Sequence, residues 1–219
     1  MKRKVQHLFS ALTLAGFIFI AFGSGDDEVK DVSVKSIANE TTASSLDNKE
    51  NDIPNQIAQL EREITSIDEG INFSNYRNTI EAVQMELVLF SAWSHTINDA
   101  LISDNSEVRS LGKKLEQKVK KIQINEFPIL RKAYRDAIYQ KLWKENIETE
   151  VIGKKSKTIQ FTGGIFANNA NKQQTQETLH DVLKMFRFTK VNYKWYEGDD
   201  EFTYYEIDSP NDGDLTDIK

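Results

Sequence analysis

Cysteine is absent from all 219 residues. That absence excludes disulfide frameworks, thiolate zinc sites, iron–sulfur clusters, a cysteine nucleophile and attachment of a lipid through a thioether. Histidine is almost as scarce, with three copies, one of them His7 near the N-terminus. Little imidazole therefore remains for acid–base chemistry or metal binding, and no His-Glu-x-x-His run is present. What remains is an ordinary globular composition, 39% hydrophobic and 28% charged, enough to build a core.

The N-terminus has three parts: the basic Lys2-Arg3-Lys4, an apolar run from Leu8 to Phe22, and then the acidic Gly23-Ser24-Gly25-Asp26-Asp27-Glu28. This order is the signature of a secretory signal. Ala21 and Gly23 suit the small-residue pockets of a signal peptidase, with cleavage before Ser24. An uncleaved membrane anchor is the rival, because Val5 to Phe22 spans about 27 Å as a helix, just short of a bilayer core of ~30 Å. Either way the acidic side is exported. The expected location is periplasmic or extracellular, with the inner membrane holding the N-terminal segment if it is not cut.

Charge is segregated along the chain. Residues 1–25 carry +3, 26–56 carry −5, 57–196 carry +4 and 197–219 carry −8. A mildly basic body between acidic flanks does not suit nucleic acid, since the flanks compete with phosphate for the same lysines. Lys113, Lys114, Lys118, Lys120 and Lys121 alternate with Leu111, Leu115, Val119 and Ile122 at helical spacing, which reads as a solvated helix face.

Hydrophobic period divides the rest. Residues 26–52 are polar and read as a disordered tether. Ile53, Ile57, Leu60, Ile64, Ile67 and Ile71 alternate steps of four and three, a heptad seam able to pair within the chain or with a second copy. A second helix carries Ile80, Val83, Leu87, Phe90, Ile97 and Leu101, and a third, after the capping run Asp104-Asn105-Ser106, carries Val108, Leu111, Leu115, Val119 and Ile122. Pro128 either kinks the third helix or opens a fourth, which runs through Leu130, Tyr134, Ile138 and Leu142 to about Asn146. Beyond Asn146 the period becomes two. Strands are expected over 147–152 and 156–162, a helix from about Asn171, then strands over 190–196 and 202–207 joined by a loop from Glu197 to Glu201.

The expected fold class is α+β: an antiparallel three- or four-helix bundle (53–146), then a small ββαββ module with an antiparallel sheet (147–208). The acidic end, 209–219, is expected to be a flexible tail.

Catalytic constellations are sparse. Ser91, His95 and Asp99 share a helix face, but a mid-helix backbone offers no oxyanion hole. His180 has only Glu177 and Asp181 nearby, too few ligands for a metal. A calcium loop counted from Asp208 fails at Pro210 and Lys219. Gly153-Lys154-Lys155-Ser156 lacks the spaced glycine of a phosphate loop and reads as a turn. No cofactor or metal is expected.

The one constellation suited to recognition is aromatic. Pairing the last two strands symmetrically about Asp199 places Val191, Tyr193, Trp195, Thr203, Tyr205 and Ile207 on a core face. Lys194, Tyr196, Phe202 and Tyr204 then share the other face as a partner-binding patch. The sequence thus points to an exported cell-envelope interaction or scaffolding module whose partner is an envelope protein or a glycan, with self-association through residues 53–71 as a further possibility. The alternative is an envelope hydrolase or glycan-processing enzyme drawing on Glu148, Glu150, Glu197, Asp199, Asp200 and Glu206.

Overall fold

A computed structural model describes residues 53–73, 77, 79–167, 169–195 and 202–218. Residues 1–52, expected to hold a leader and a tether, and the loop joining the last two strands lie outside these residues. All described residues belong to one unit, running from Ala43 to Lys219. The fold is α+β, with four helices and a four-stranded sheet. No described helix is long and apolar enough to cross a membrane.

Helix α1 (Ile53–Glu69) buries Leu60 and Ile64, the centre of the isoleucine-rich seam, within its own chain. Helix α2 (Ile80–Leu101) starts where the Thr79 hydroxyl accepts from the Ala82 amide, and buries Val83, Leu87, Phe90, Trp93 and Ile97. From α2 the Trp93 indole N–H donates to Glu63 of α1 at 2.9 Å. Helix α3 (Ser106–Lys144) is capped by Asn105, whose side-chain oxygen accepts from the amides of Glu107 and Val108. It packs against both α1 and α2. Gly112 is what permits the close crossing with α2, since a Cβ there would lie 2.7 Å from Ala100 Cβ.

Of the two readings of Pro128, the opening of a fourth helix does not occur: α3 continues through it and is 39 residues long in all, about 58 Å at the usual rise. A proline costs a helix interior about 3 kcal/mol. Here Phe127 and Leu130 are fully buried on either side of it, and burying apolar side chains of that size offsets such a cost.

Strands β1 (Ile147–Ile152) and β2 (Thr158–Gly163) form an antiparallel hairpin around a short 3-10 turn, Lys154–Ser156. Helix α4 (Asn169–Met185) then returns the chain to the starting end of β2. Strand β3 (Lys190–Trp195) therefore runs parallel to β2, with Thr158 opposite Lys190 and Gly163 opposite Trp195. Strand β4 (Phe202–Glu206) closes the order β1-β2-β3-β4 as an antiparallel neighbour of β3. The expected all-antiparallel sheet is thus corrected to a mixed one. A helical crossover delivers its two strands in the same direction, which side-chain alternation does not reveal.

A second correction concerns the acidic end. Residues 209–218 were expected to be flexible, yet they form a strap against the body. Asp212 is buried and pairs through both oxygens with Arg131, at 2.9 and 3.1 Å. Arg187 donates to the carbonyls of Asn211 and Asp214 and to the Thr216 hydroxyl. Gln123 of α3 donates to the Asp214 carbonyl and accepts from Thr216. The Ile218 amide reaches Ser91 of α2 at 3.2 Å. Composition alone suggested a solvated acidic run, because the two arginines that bind it are distant in sequence.

Candidate functional site

Alternation along the four strands sends one set of side chains toward the helices. Ile147, Thr149, Ile159, Phe161, Val191, Tyr193 and Trp195 are buried on this covered face. Phe161 stacks on Tyr193 at 5.4 Å, and Tyr193 on Tyr205 at 6.0 Å. From α4, His180 comes within 5.7 Å of the Tyr205 ring, and Phe186 stacks on Tyr134 of α3 at 4.4 Å. Gly163 has no side chain because the Trp195 ring lies on it; a Cβ there would approach the indole to 2.5 Å. Burial, with Tyr205 beside it, pushes the Tyr193 hydroxyl far above its usual range.

The other set is left uncovered by the described helices. The strand registers arrange it in three rows: Glu148–Thr162–Lys194, then Glu150–Gln160–Asn192–Tyr204, then Ile152–Thr158–Lys190–Glu206. Thr158, Gln160, Thr162, Lys190, Asn192 and Lys194, in the central strands, are half-exposed; Glu148, Glu150, Tyr204 and Glu206, on the edge strands, are exposed. Tyr204 is 62% exposed and carries the Lys190 ammonium 4.0 Å from its ring centroid. Beside them an open cavity of about 570 Å³ is lined by Thr158, Thr189, Lys190, Glu206, Ile207 and Asp208.

Of the expected patch, Lys194 and Tyr204 lie on this face, and Phe202 is opposite Lys194 in the ladder. Tyr196 lies outside the described residues. The β3–β4 register is shifted by two from symmetry about Asp199, with Tyr193 opposite Thr203 rather than Tyr205. A shift of two preserves which residues share a face. Sequence reasoning placed each hairpin's alternation but not the joining of the two hairpins into one surface. That joining brings Gln160 and Thr162 beside Asn192 and Lys194.

The other expected constellations do not assemble. Ser91 is buried and accepts from Ile218, whereas His95 and Asp99 are exposed. Asp99 lines a separate small cavity of about 240 Å³ with Asn55, Gln59 and Thr96. His180 is exposed, and among the described residues no three metal-ligating side chains converge. Asp212, the position-five oxygen of the calcium-loop comparison, is committed to Arg131. Glu148 and Glu150 stand on one edge of the sheet and Glu206 on the other, three strand spacings or about 14 Å apart. Glu197, Asp199 and Asp200 lie outside the described residues.

Two polar clusters of the interior went unanticipated. In one, Arg131 donates to Asp212 and to the carbonyls of Lys155 and Phe186, next to Arg187, which burial lowers to about 10 and which stacks over Phe127 at 4.0 Å. In the other, Arg77 bridges Glu86 of α2 and Glu126 of α3. Burial raises Glu86 to about 7 against the pull of Arg77, and Glu126 adds to the rise.

No protein-family model matches the chain, and no curated protein or solved structure matches it at a significant level.

Proposed function

We propose that this chain is a non-enzymatic binding module of an exported cell-envelope protein, and that the open sheet face is its recognition surface. The single observation behind this reading is the three-row polar face, half-exposed to exposed along its length and uncovered by the described helices. Buried hydrophobic sheet faces are the rule in a packed domain, so a continuous face of amides, hydroxyls, lysines and one exposed tyrosine suits solvent or a partner. The three N-terminal helices, read as an antiparallel bundle, serve as the support, and residues 147–208, read as a ββαββ module, present the face. The basic leader and its apolar run would deliver the module to the envelope.

The hydrolase alternative needs two carboxyl groups about 5–9.5 Å apart on either side of a bound sugar. Glu206 stands too far from Glu148 and Glu150 for that, and the latter two lie on one exposed edge strand. Among the described carboxylates this favours binding over turnover; Glu197, Asp199 and Asp200 lie outside them.

The test is in-cell photocrosslinking of the full chain from Asn192 on the open face and, as a control, from Lys114 on exposed α3. A discrete product from position 192 alone, lost in a folded Tyr196→Ser plus Tyr204→Ser variant, is expected. Equal labelling from both positions, or labelling indifferent to the tyrosines, would overturn the assignment. Mass spectrometry of the N-terminal peptide reports on export in the same experiment: cleavage before Ser24, or an intact leader in the membrane fraction, fits it, and an intact leader in the soluble cytoplasm does not.

A further inference from the structure

We propose that the open sheet face takes an amino-sugar chain, with Tyr204 as the stacking platform and the Thr158–Asp208 cavity as the subsite for a sugar bearing an amino or acetamido group. The inference rests on the reading of this face as a recognition surface and goes further by naming the ligand chemistry.

Charge is the first discriminant. Across the face and its cavity, Glu148, Glu150, Glu206 and Asp208 stand against Lys190 and Lys194, and Lys190 takes one face of the Tyr204 ring while the residue stays 62% exposed. Excess carboxylate repels phosphates, uronates and nucleic acid and favours a neutral or cationic ligand. The second discriminant is the kind of polar group. Gln160 and Asn192 sit side by side in the middle row, with Thr158 and Thr162 on either side of Gln160 along β2. Amides and hydroxyls both donate and accept, as sugar hydroxyls do, so each can answer a ligand group of either polarity. The third is the lack of anchor pockets. Protein partners bind through large side chains seated in apolar pockets, and Ile152 and Tyr204 are the exposed large apolar groups described on this face. A sugar ring needs no such pocket. Its C–H face packs on an aromatic ring and its hydroxyls spread across a polar plane.

The cavity fixes the register. Its volume of about 570 Å³ lies within the range of small-ligand sites. Glu206 and Asp208 supply carboxylates for an ammonium or amide N–H, and Thr158 and Thr189 supply hydroxyls. Tyr204 lies one row away, about 7 Å along the strand from Glu206, so ring and carboxylate fall within reach of adjacent sugar residues.

The experiment is calorimetric titration of the purified full chain with three hexamers: glucosamine, N-acetylglucosamine and galacturonate. One or both amino-sugar hexamers should bind while galacturonate does not. Tyr204→Ala should weaken binding about tenfold or more, equivalent to about 1.4 kcal/mol. Asp208→Asn should weaken the glucosamine hexamer several-fold more than the acetylated one, and this contrast separates a subsite effect from a folding defect. Circular dichroism checks that both variants fold. Tighter binding of galacturonate overturns the charge argument. If no hexamer binds at millimolar concentration but Asn192 still crosslinks a protein, the ligand class falls and the recognition surface stands. Failure of both removes both.

Discussion

Arg131 and Arg77 each join several chain segments beneath the surface, and their surroundings carry opposite imbalances of charge. Around Arg131, a second guanidinium, Arg187, shares the interior with a single buried carboxylate, Asp212. Around Arg77, two carboxylates, Glu86 and Glu126, share one guanidinium. In the first cluster Arg187, lowered by burial to about 10, keeps its charge near neutral pH, and the excess is met by fixed oxygens: the carbonyls of Lys155, Phe186, Asn211 and Asp214, and the face of Phe127. The second cluster holds a carboxyl that can take up a proton, because Glu86 sits at about 7. One imbalance is resolved by architecture and the other by titration. That difference accounts for the strap, since the last ten residues supply most of the oxygens that the arginines require.

Breaking the Arg131 cluster has the largest expected effect. Asp212→Asn leaves a fully buried guanidinium without its counter-charge, which should cost about 3–5 kcal/mol in urea unfolding. A loss below about 1 kcal/mol would show the strap to be a surface contact after all. Removing both partners, Arg131→Met with Asp212→Leu, should recover most of that loss, because no uncompensated charge is left behind. Arg77→Met comes next, at about 1–3 kcal/mol, because it strands two acceptors that can relieve their repulsion by protonating one. Its cost should shrink at pH 5.5, whereas that of Asp212→Asn should not shrink in parallel. Parallel behaviour would erase the contrast between the clusters.

These clusters also mark where the sequence stops being readable. The limits of β1, the capping run Asp104-Asn105-Ser106 and the inward Ile159, Phe161, Val191, Tyr193 and Trp195 are visible from alternation and local capping chemistry, because each depends on neighbours a few positions away; Thr203, expected on the core face, is exposed. The open face was half visible: each hairpin's polar side is written in its own strands. What joins them is the parallel β2–β3 pair, set by the α4 crossover and not by side-chain period. Arg131 was hidden for a related reason. Placed between Leu130 and Lys132 on a helix, it reads like any surface arginine, and only Asp212, eighty-one positions later, reveals it as interior. Pro128 left two readings open locally, a kinked helix or a new one, and the continuity of α3 removes the second. Its local rule is sound, but the burial of Phe127 and Leu130 outweighs it.

The smallest expected effect tests the titration directly. A carboxyl whose folded value is about 7, against 4.5 for the ordinary group, makes the folded state hold more protons than the unfolded chain between those two values. Its contribution therefore destabilises above pH 7 and is relieved as pH falls from about 7 toward 4.5, with a slope of at most about 1.4 kcal/mol per pH unit. Glu86→Gln removes the titrating group but keeps an oxygen that can accept from Arg77. The variant should be more stable than the parent at pH 8 by about 1 kcal/mol, because it is spared the desolvation of a charge while losing a charge-assisted hydrogen bond. At pH 5 the two should converge. Urea midpoints at pH 8, 7, 6 and 5 supply the comparison, and equal pH slopes in parent and variant would mean that Glu86 keeps its charge throughout. In that case the Arg77 cluster, like the Arg131 cluster, would be held by fixed geometry alone.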